Sequence, residues 1–208
     1  MGRVTIIEHP VITDKLTRIR DKATSAKDFQ QIVREIGSLM TYEITKDFPL
    51  KEVEIETPIC KTIQKKIAQD VVIVPILRAG IGMLEGIRDV LPNAKVGFVG
   101  LYRDETTLQP VSYYEKFPAN LKDSIVLLVD PMLATGGSAV KAVDILKKHG
   151  ATRIIYAGLV SVQYGIDVLS KAHPDIDIYT AALDEKLNEV GYIVPGLGDC
   201  GDRLFGTK

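Results

Sequence analysis

A chain of 208 residues is long enough for one full-sized hydrophobic core, and a single domain spanning 1–208 is the expectation. Its composition, 46% apolar and 25% charged, is that of a water-soluble globular protein. The 26 basic and 27 acidic side chains leave a formal charge of −1, which offers nucleic acid no global attraction, and the apolar runs are strand-sized, far below the ~20 residues of a membrane-spanning helix.

From the start of the chain, Met1–Pro10 lacks the apolar core and cleavage pattern of a signal peptide, so cytoplasm is the expected location. The segment up to Leu50 reads as helical. Ser25 followed by Asp28 resembles a capping box, and Phe29, Ile32, Val33, Ile36, Leu39 and Met40 form an apolar stripe suited to core packing or a subunit contact. Lys51–Glu56 alternates charge with Val53 and Ile55 and reads as a half-exposed strand. Cys60 and Cys200 are too few and too far apart in sequence for a disulfide framework or a metal cluster. His9, His149 and His173 make no ligand pattern such as H-E-x-x-H and read as helix-end or surface residues.

Beyond Asp70 the rhythm becomes β-α-β. Strands are expected at Val71–Ile76, Val96–Leu101, Ile125–Val129, Ile154–Val160 and Ile176–Thr180, and helices at Gly80–Val90, after Ser138 and near Ile166–Ala172. Such alternation predicts an α/β fold with a mostly parallel sheet and helices on both faces. No internal repeat or linker marks a boundary. Two segments break the rhythm. Arg103–Asn120 is polar and rich in tyrosine, which suits a lid or a β-arm. The tail Leu183–Lys208 carries Gly191, Gly196, Gly198, Gly201 and Gly206, yet its Tyr192, Ile193, Val194, Leu204 and Phe205 predict that it docks.

The densest chemistry lies at Ser124–Ser138, S-I-V-L-L-V-D-P-M-L-A-T-G-G-S. A buried strand stops at Asp130, small residues follow, and Ala139, Ala142, Val143 and Leu146 then begin a helical pattern. Ligands of open α/β sheets bind at that carboxyl edge, and a helix N-terminus there favours phosphate. No lysine follows the glycines, so this is not a Walker loop, nor is it the dinucleotide pattern G-x-G-x-x-G. An acid ahead of a phosphate cradle suits a sugar phosphate whose vicinal hydroxyls donate to the carboxylate. A plain tight turn, with glycines for backbone geometry, stays open on this stretch alone. Arg78, in P-I-L-R-A-G at Pro75–Gly80, and Arg103, in G-L-Y-R at Gly100–Arg103, stand just past two other strands. A guanidinium at such an edge suits phosphate or pyrophosphate.

These three motifs, with G-Y-I-V-P-G-L-G-D at Gly191–Asp199, carry a resemblance to the uracil phosphoribosyltransferase family over essentially the whole chain. The tail motif separates that family from phosphoribosyltransferases acting on purines or orotate. The resemblance implies the type I phosphoribosyltransferase core, with a hood made by the N- and C-terminal segments and a β-arm or flexible loop near 103–120. It implies transfer of the 5-phosphoribosyl group from 5-phosphoribosyl-1-pyrophosphate (PRPP) to uracil, giving UMP and pyrophosphate. It assigns Arg78, Arg103, Asp130, Pro131, Met132, Leu133, Ala134, Thr135, Gly136, Gly137, Ser138 and Asp199 to PRPP. Ile193, Gly198, Asp199 and Cys200 are assigned to uracil. Arg78, Arg103 and Asp130 are the catalytic group, acting by charge and placement. Mg²⁺ is expected on PRPP, with no protein ligand of its own. A GTP activator and a homo-oligomer, dimer or tetramer, are further implications; nucleic acid and membrane partners are not expected.

Two departures from the family pattern stand out. Val162-Gln163-Tyr164-Gly165 replaces the Ala-Pro-Glu-Gly of many relatives, in a loop expected to open toward the site. Cys200 stands where alanine is common, a change that a backbone contact would survive. Against the wider phosphoribosyltransferase group, Asp130 is followed by Pro131 instead of a second acid; this matches the uracil branch, and ribose binding must then rest on one carboxylate. The rival readings are a phosphoribosyltransferase for another base, a uridine-nucleotide-sensing regulator on the same fold that binds RNA, and a nucleotide-binding module that has lost catalysis, against which the intact Arg78, Arg103, Asp130 and Asp199 speak.

Overall fold

The computed structural model describes residues 2–103 and 110–207. A short strand, β1 (Val4–Ile6), precedes two helices, α1 (Pro10–Arg20) and α2 (Ala26–Ile44). An antiparallel hairpin follows, β2 (Leu50–Glu56) and β3 (Lys61–Ile67). Next come β4 (Val71–Leu77), α3 (Ile81–Val90), β5 (Lys95–Val96) and β6 (Phe98–Arg103), with β7 (Pro110–Lys116) returning antiparallel to β6. The central run is β8 (Ile125–Val129), β9 (Met132–Leu133), α4 (Gly137–Lys148), β10 (Arg153–Val162), α5 (Gln163–Ala172) and β11 (Asp177–Asp184). The tail adds a small hairpin, β12 (Lys186–Leu187) with β13 (Ile193–Val194), and a last helix, α6 (Cys200–Phe205).

The main sheet runs β1-β11-β10-β8-β4-β6-β7, and only the β6–β7 pair in this path is antiparallel. Side chains of a strand alternate between faces, and here both faces are apolar. Val71, Ile73, Ile125, Leu127, Val129, Ile155, Ala157, Tyr179 and Ala181 join one core with α1, α2, α3 and α6. Their neighbours Val72, Val74, Val126, Leu128, Ile154, Tyr156 and Ile178 join a second core with α4 and α5. That double burial is why these strands read as unbroken apolar runs. Among the described residues no helix is long and apolar enough to cross a membrane.

The expected helices and parallel strands are present, with shifted ends. Within α2 the side chains of Phe29, Val33, Ile36 and Met40 are fully buried, and Ser25 accepts the Asp28 N–H at 3.1 Å. All three histidines lie at helix ends: His9 caps the start of α1, and His149 and His173 follow α4 and α5. Apart from the two-residue strands β5, β9, β12 and β13, two strands differ from the sequence reading. β1 stands in the segment expected to be helical; it has only three residues and owes its form to parallel pairing with β11. β3, K-T-I-Q-K-K-I, places Ile63 and Ile67 at a spacing that fits helix or strand, and pairing with β2 decides it. The polar segment supplies β7, in keeping with a β-arm; residues 104–109 lie outside the described residues.

Candidate active site

A cleft of about 360 Å³ opens at the carboxyl ends of β4 and β8, which are neighbours in the sheet. Pro75 is paired with Val129, so Asp130 and the Arg78–Gly80 turn leave the sheet close together. The cleft floor holds Asp130, Met132 and Ala134, and its inner end holds Thr135, Gly137 and Ser138 where α4 begins. The first-turn N–H groups of a helix have no partner inside it, so this end of the cleft is rich in donors.

The loop from Asp130 to Gly136 is held from below. Pro131 is buried and its carbonyl accepts the N–H groups of Leu159 and Val160 at 2.9 and 3.0 Å. Leu133 turns into the second core. Gly165, in the first turn of α5, lies so close to the loop that a Cβ would stand 2.4 Å from the Ala134 carbonyl oxygen. Gln163 and Tyr164 do not line the cleft; both are exposed, and Gln163 donates to Asp167 at 2.7 Å. The segment expected to open toward the site therefore supports the loop through its glycine.

Asp130 is the carboxyl in the cleft whose ionisation is strongly perturbed. Loss of water around its carboxyl pushes its pKa up from 3.8 to about 7, and the N–H of Met132, bonded to it, pulls the other way. Its main-chain carbonyl accepts the buried Tyr156 hydroxyl at 3.0 Å, which fixes the backbone at the strand end. Cys200 also borders the cleft, where burial and the nearby Asp130 and Asp199 push its thiol pKa up. A thiol held protonated is a poor nucleophile.

The cleft is roofed by the tail. Asn188 organises the approach, its side-chain oxygen accepting the N–H groups of Val190 and Tyr192 at 3.1 and 2.8 Å. Val190, Gly191, Tyr192 and Ile193 thereby hang over the cleft, with Gly191 close to the methyl group of Thr135. Gly198 to Gly201 complete the roof, and Asp199 caps α6 by accepting the Asp202 N–H at 2.9 Å. Arg78 stands at the rim, not in the lining. Its guanidinium reaches Asp202 at 3.4 Å and Thr207 at 3.5 Å.

Of the residues singled out from sequence, the fold brings Asp130, Met132, Ala134, Thr135, Gly137, Ser138, Ile193, Gly198, Asp199 and Cys200 to one cavity. Pro131, Leu133 and Gly136 shape the loop from outside that lining. Arg103 ends β6, and its side chain lies outside the described residues. Ala79, Pro110, Val190, Gly191, Tyr192 and Gly201 also border the cleft without having been singled out. Ala79, Gly191 and Tyr192 sit inside the quoted motifs; Pro110 has no local signal, because its place depends on how β7 folds back.

A family model described as uracil phosphoribosyltransferase matches residues 6–207. The chain belongs to the uracil phosphoribosyltransferase family. Curated members from Acholeplasma laidlawii and Pediococcus pentosaceus are each 60% identical to it, with full coverage of both chains. A solved Aquifex aeolicus protein is 38% identical over 99% of both chains and superposes with a TM-score of 0.94. An adenine phosphoribosyltransferase of Trypanosoma brucei, 14% identical, covers 88% of this chain and 84% of its own at a TM-score of 0.58, a likeness of fold alone. The uracil phosphoribosyltransferase motifs thus coincide with the walls of the cleft: V-D-P-M-L-A-T-G-G-S makes its floor and inner end, and the glycine-rich tail its roof.

Proposed function

We infer that this chain transfers the 5-phosphoribosyl group of PRPP to uracil, giving UMP and pyrophosphate in pyrimidine salvage. The observation that carries the reading is the single cleft in which an acid, a helix N-terminus and a main-chain-rich tail meet.

In this reaction the bond from the sugar C1 to pyrophosphate oxygen breaks, a bond from C1 to uracil N1 forms, and N1 gives up its proton. Positive charge develops on the sugar as the leaving group departs, so placement and charge stabilisation are the tasks. Thr135, Gly137 and Ser138 hold the 5′-phosphate with backbone N–H groups and two hydroxyls. Asp130 accepts hydrogen bonds from the ribose hydroxyls. Arg78 and Arg103 neutralise pyrophosphate, Arg78 giving up its weak contacts at the rim to do so. Uracil lies under the tail, read by the main chain of Ile193 and Gly198–Cys200, with Asp199 near both substrates. A main-chain N–H facing uracil O4 rejects cytosine, because its amino group would leave that donor unpaired at a cost of about 1–3 kcal/mol.

Mg²⁺ carried on PRPP would offset the charge of the departing pyrophosphate. The carboxylates facing the cleft, Asp130 and Asp199, suit an ion already ligated by phosphate oxygens, and among the described residues no three His, Cys, Asp or Glu side chains converge to form a metal site. GTP activation and self-association as a dimer or tetramer belong to the same reading. For self-association, the support is the β2–β3 hairpin, where Leu50, Ile59 and Ile63 are exposed.

The test is UMP formation from PRPP and uracil with Mg²⁺, beside cytosine, orotate, hypoxanthine and adenine, with and without GTP. Product from uracil alone is expected. Product from another base would keep the PRPP loop and discard the reading of the tail. Sedimentation of the same preparation reads the assembly.

A further inference from the structure

The tail contributes to the cleft in two pieces, Val190–Ile193 and Gly198–Gly201, and the residues between them do not line it. That connector is gripped from the side of the N-terminal helices. Arg20, the last residue of α1, and Asp184, the last residue of β11, form a two-pronged ion pair at 2.8 and 2.6 Å. Both also hold the same residue of the connector. Asp184 accepts the Gly196 N–H at 2.8 Å, and Arg20 donates to the Gly196 carbonyl at 2.7 Å. The pair is withdrawn from water, with side-chain exposures of 24% for Arg20 and 6% for Asp184.

Gly196 itself is a tight reversal, with φ +60° and a position at which a Cβ would stand 2.2 Å from the Ile193 carbonyl oxygen. The next residue is held as well. Arg203 of α6 donates to the Leu197 carbonyl at 2.8 Å and to the Asp21 carbonyl at 2.6 Å, and also to that of Ile19. Its guanidinium lies 4.3 Å from the centre of the Phe29 ring. Two arginines from opposite ends of the sequence thus fix consecutive peptide units.

A site that reads its ligand with main-chain atoms has no rotamers to adjust; its accuracy is the accuracy with which the backbone is held. We propose that Arg20 and Asp184, braced by Arg203, are positioning residues for the base: they set the placement of Ile193 and Gly198–Cys200 by clamping Gly196 and Leu197 between them. The proposal rests on the reading of the tail as the uracil site. It assigns to this buried pair a role in base recognition, where a purely structural pair would affect stability alone. Neither residue touches substrate. The carboxylate of Asp184 is needed because it accepts three hydrogen bonds at once, and the fork of Arg20 because it must reach Asp184 and Gly196 together.

Asp184→Asn and Arg20→Lys test this with little change of volume. The amide turns one acceptor into a donor, and the ammonium keeps the charge without the fork. Both variants are expected to raise KM for uracil by about tenfold or more while KM for PRPP stays within about twofold. Calorimetry supplies a reading independent of turnover: UMP should bind more weakly in step with the uracil KM, and ribose 5-phosphate, which lacks the base, should bind as in the parent protein. Unchanged uracil and PRPP constants in folded variants would overturn the proposal. So would a parallel rise in both, accompanied by a fall in Tm, because that is the signature of a structural pair. The parent protein is measured first; if it binds ribose 5-phosphate but makes no UMP from uracil, the base assignment itself fails, and this proposal with it.

Discussion

Asp130 combines two demands that conflict in the free protein. In its proposed role, accepting from both ribose hydroxyls, the ionised form is the better acceptor, and its surroundings favour the protonated form, with a pKa near 7 against 3.8. A carboxyl whose pKa is raised on folding binds its proton more tightly in the folded state. Stability is therefore lost as pH climbs from about 4 through 7, and the full penalty applies above that range. Asp130→Asn removes the penalty: a higher Tm than the parent is expected at pH 8, worth up to ~4 kcal/mol and less for the water that the open cleft admits, with no gain near pH 4. Turnover of the same variant should fall by roughly a hundredfold or more. A folded variant with near-normal turnover would remove Asp130 from the mechanism. The pH dependence of PRPP binding follows with the opposite sense. On the proposed role PRPP selects the ionised form, so its KM should rise as pH falls below about 7, by at most about tenfold per pH unit, and Asp130→Asn should lose this component. The identity of Asp130 was legible in sequence, since it ends an apolar run ahead of glycines. Its raised pKa was not, because the groups that exclude water from it come from distant parts of the chain. Asp184 was illegible for the same reason: it is an ordinary polar residue until Arg20 and Gly196 are folded against it.

At the scale of elements, the Asp130–Gly136 loop owes its shape to α5. Gly165→Ala would set a methyl group against the carbonyls of Leu133 and Ala134 and push helix and loop apart. The expected result is a loss of about 1–3 kcal/mol in urea denaturation and a rise of about tenfold in KM for PRPP, with the uracil constant less affected. Elements buried on both faces were the easiest to read. Ile125–Val129 is apolar at every position, and no alternative to a buried strand fits five residues bounded by a serine and an acid. β1 and β3 were hidden because their form comes from a partner strand instead of their own pattern. In the tail, glycines announced an unusual backbone, and only packing turned them into a hairpin and a capped helix.

Across the whole molecule the two ends of the chain are brought together. Leu204 of α6 is 1% exposed, in the core that also takes α1, α2 and α3, and its carbonyl accepts the Gln30 side chain at 2.7 Å. Leu204→Ala should cost ~2–4 kcal/mol, measured by urea denaturation, and should impair uracil use beyond its effect on PRPP, since the roof of the cleft moves with α6. The sheet divides the supports of tail and loop only in part. Ile193, Leu197, Cys200 and Leu204 rest in the core on one face, and Met132 and Ala134 of the loop pack against that core too; Leu133 and the helix that follows the loop rest in the core on the other. Leu127 and Leu128 are adjacent in sequence but answer to different cores. On the proposed assignment of the tail to the base, repacking the first side for a new nucleobase would reach the pentose phosphate loop through Met132 and Ala134, so selection for altered substrate choice would have to keep both layers of the protein in register.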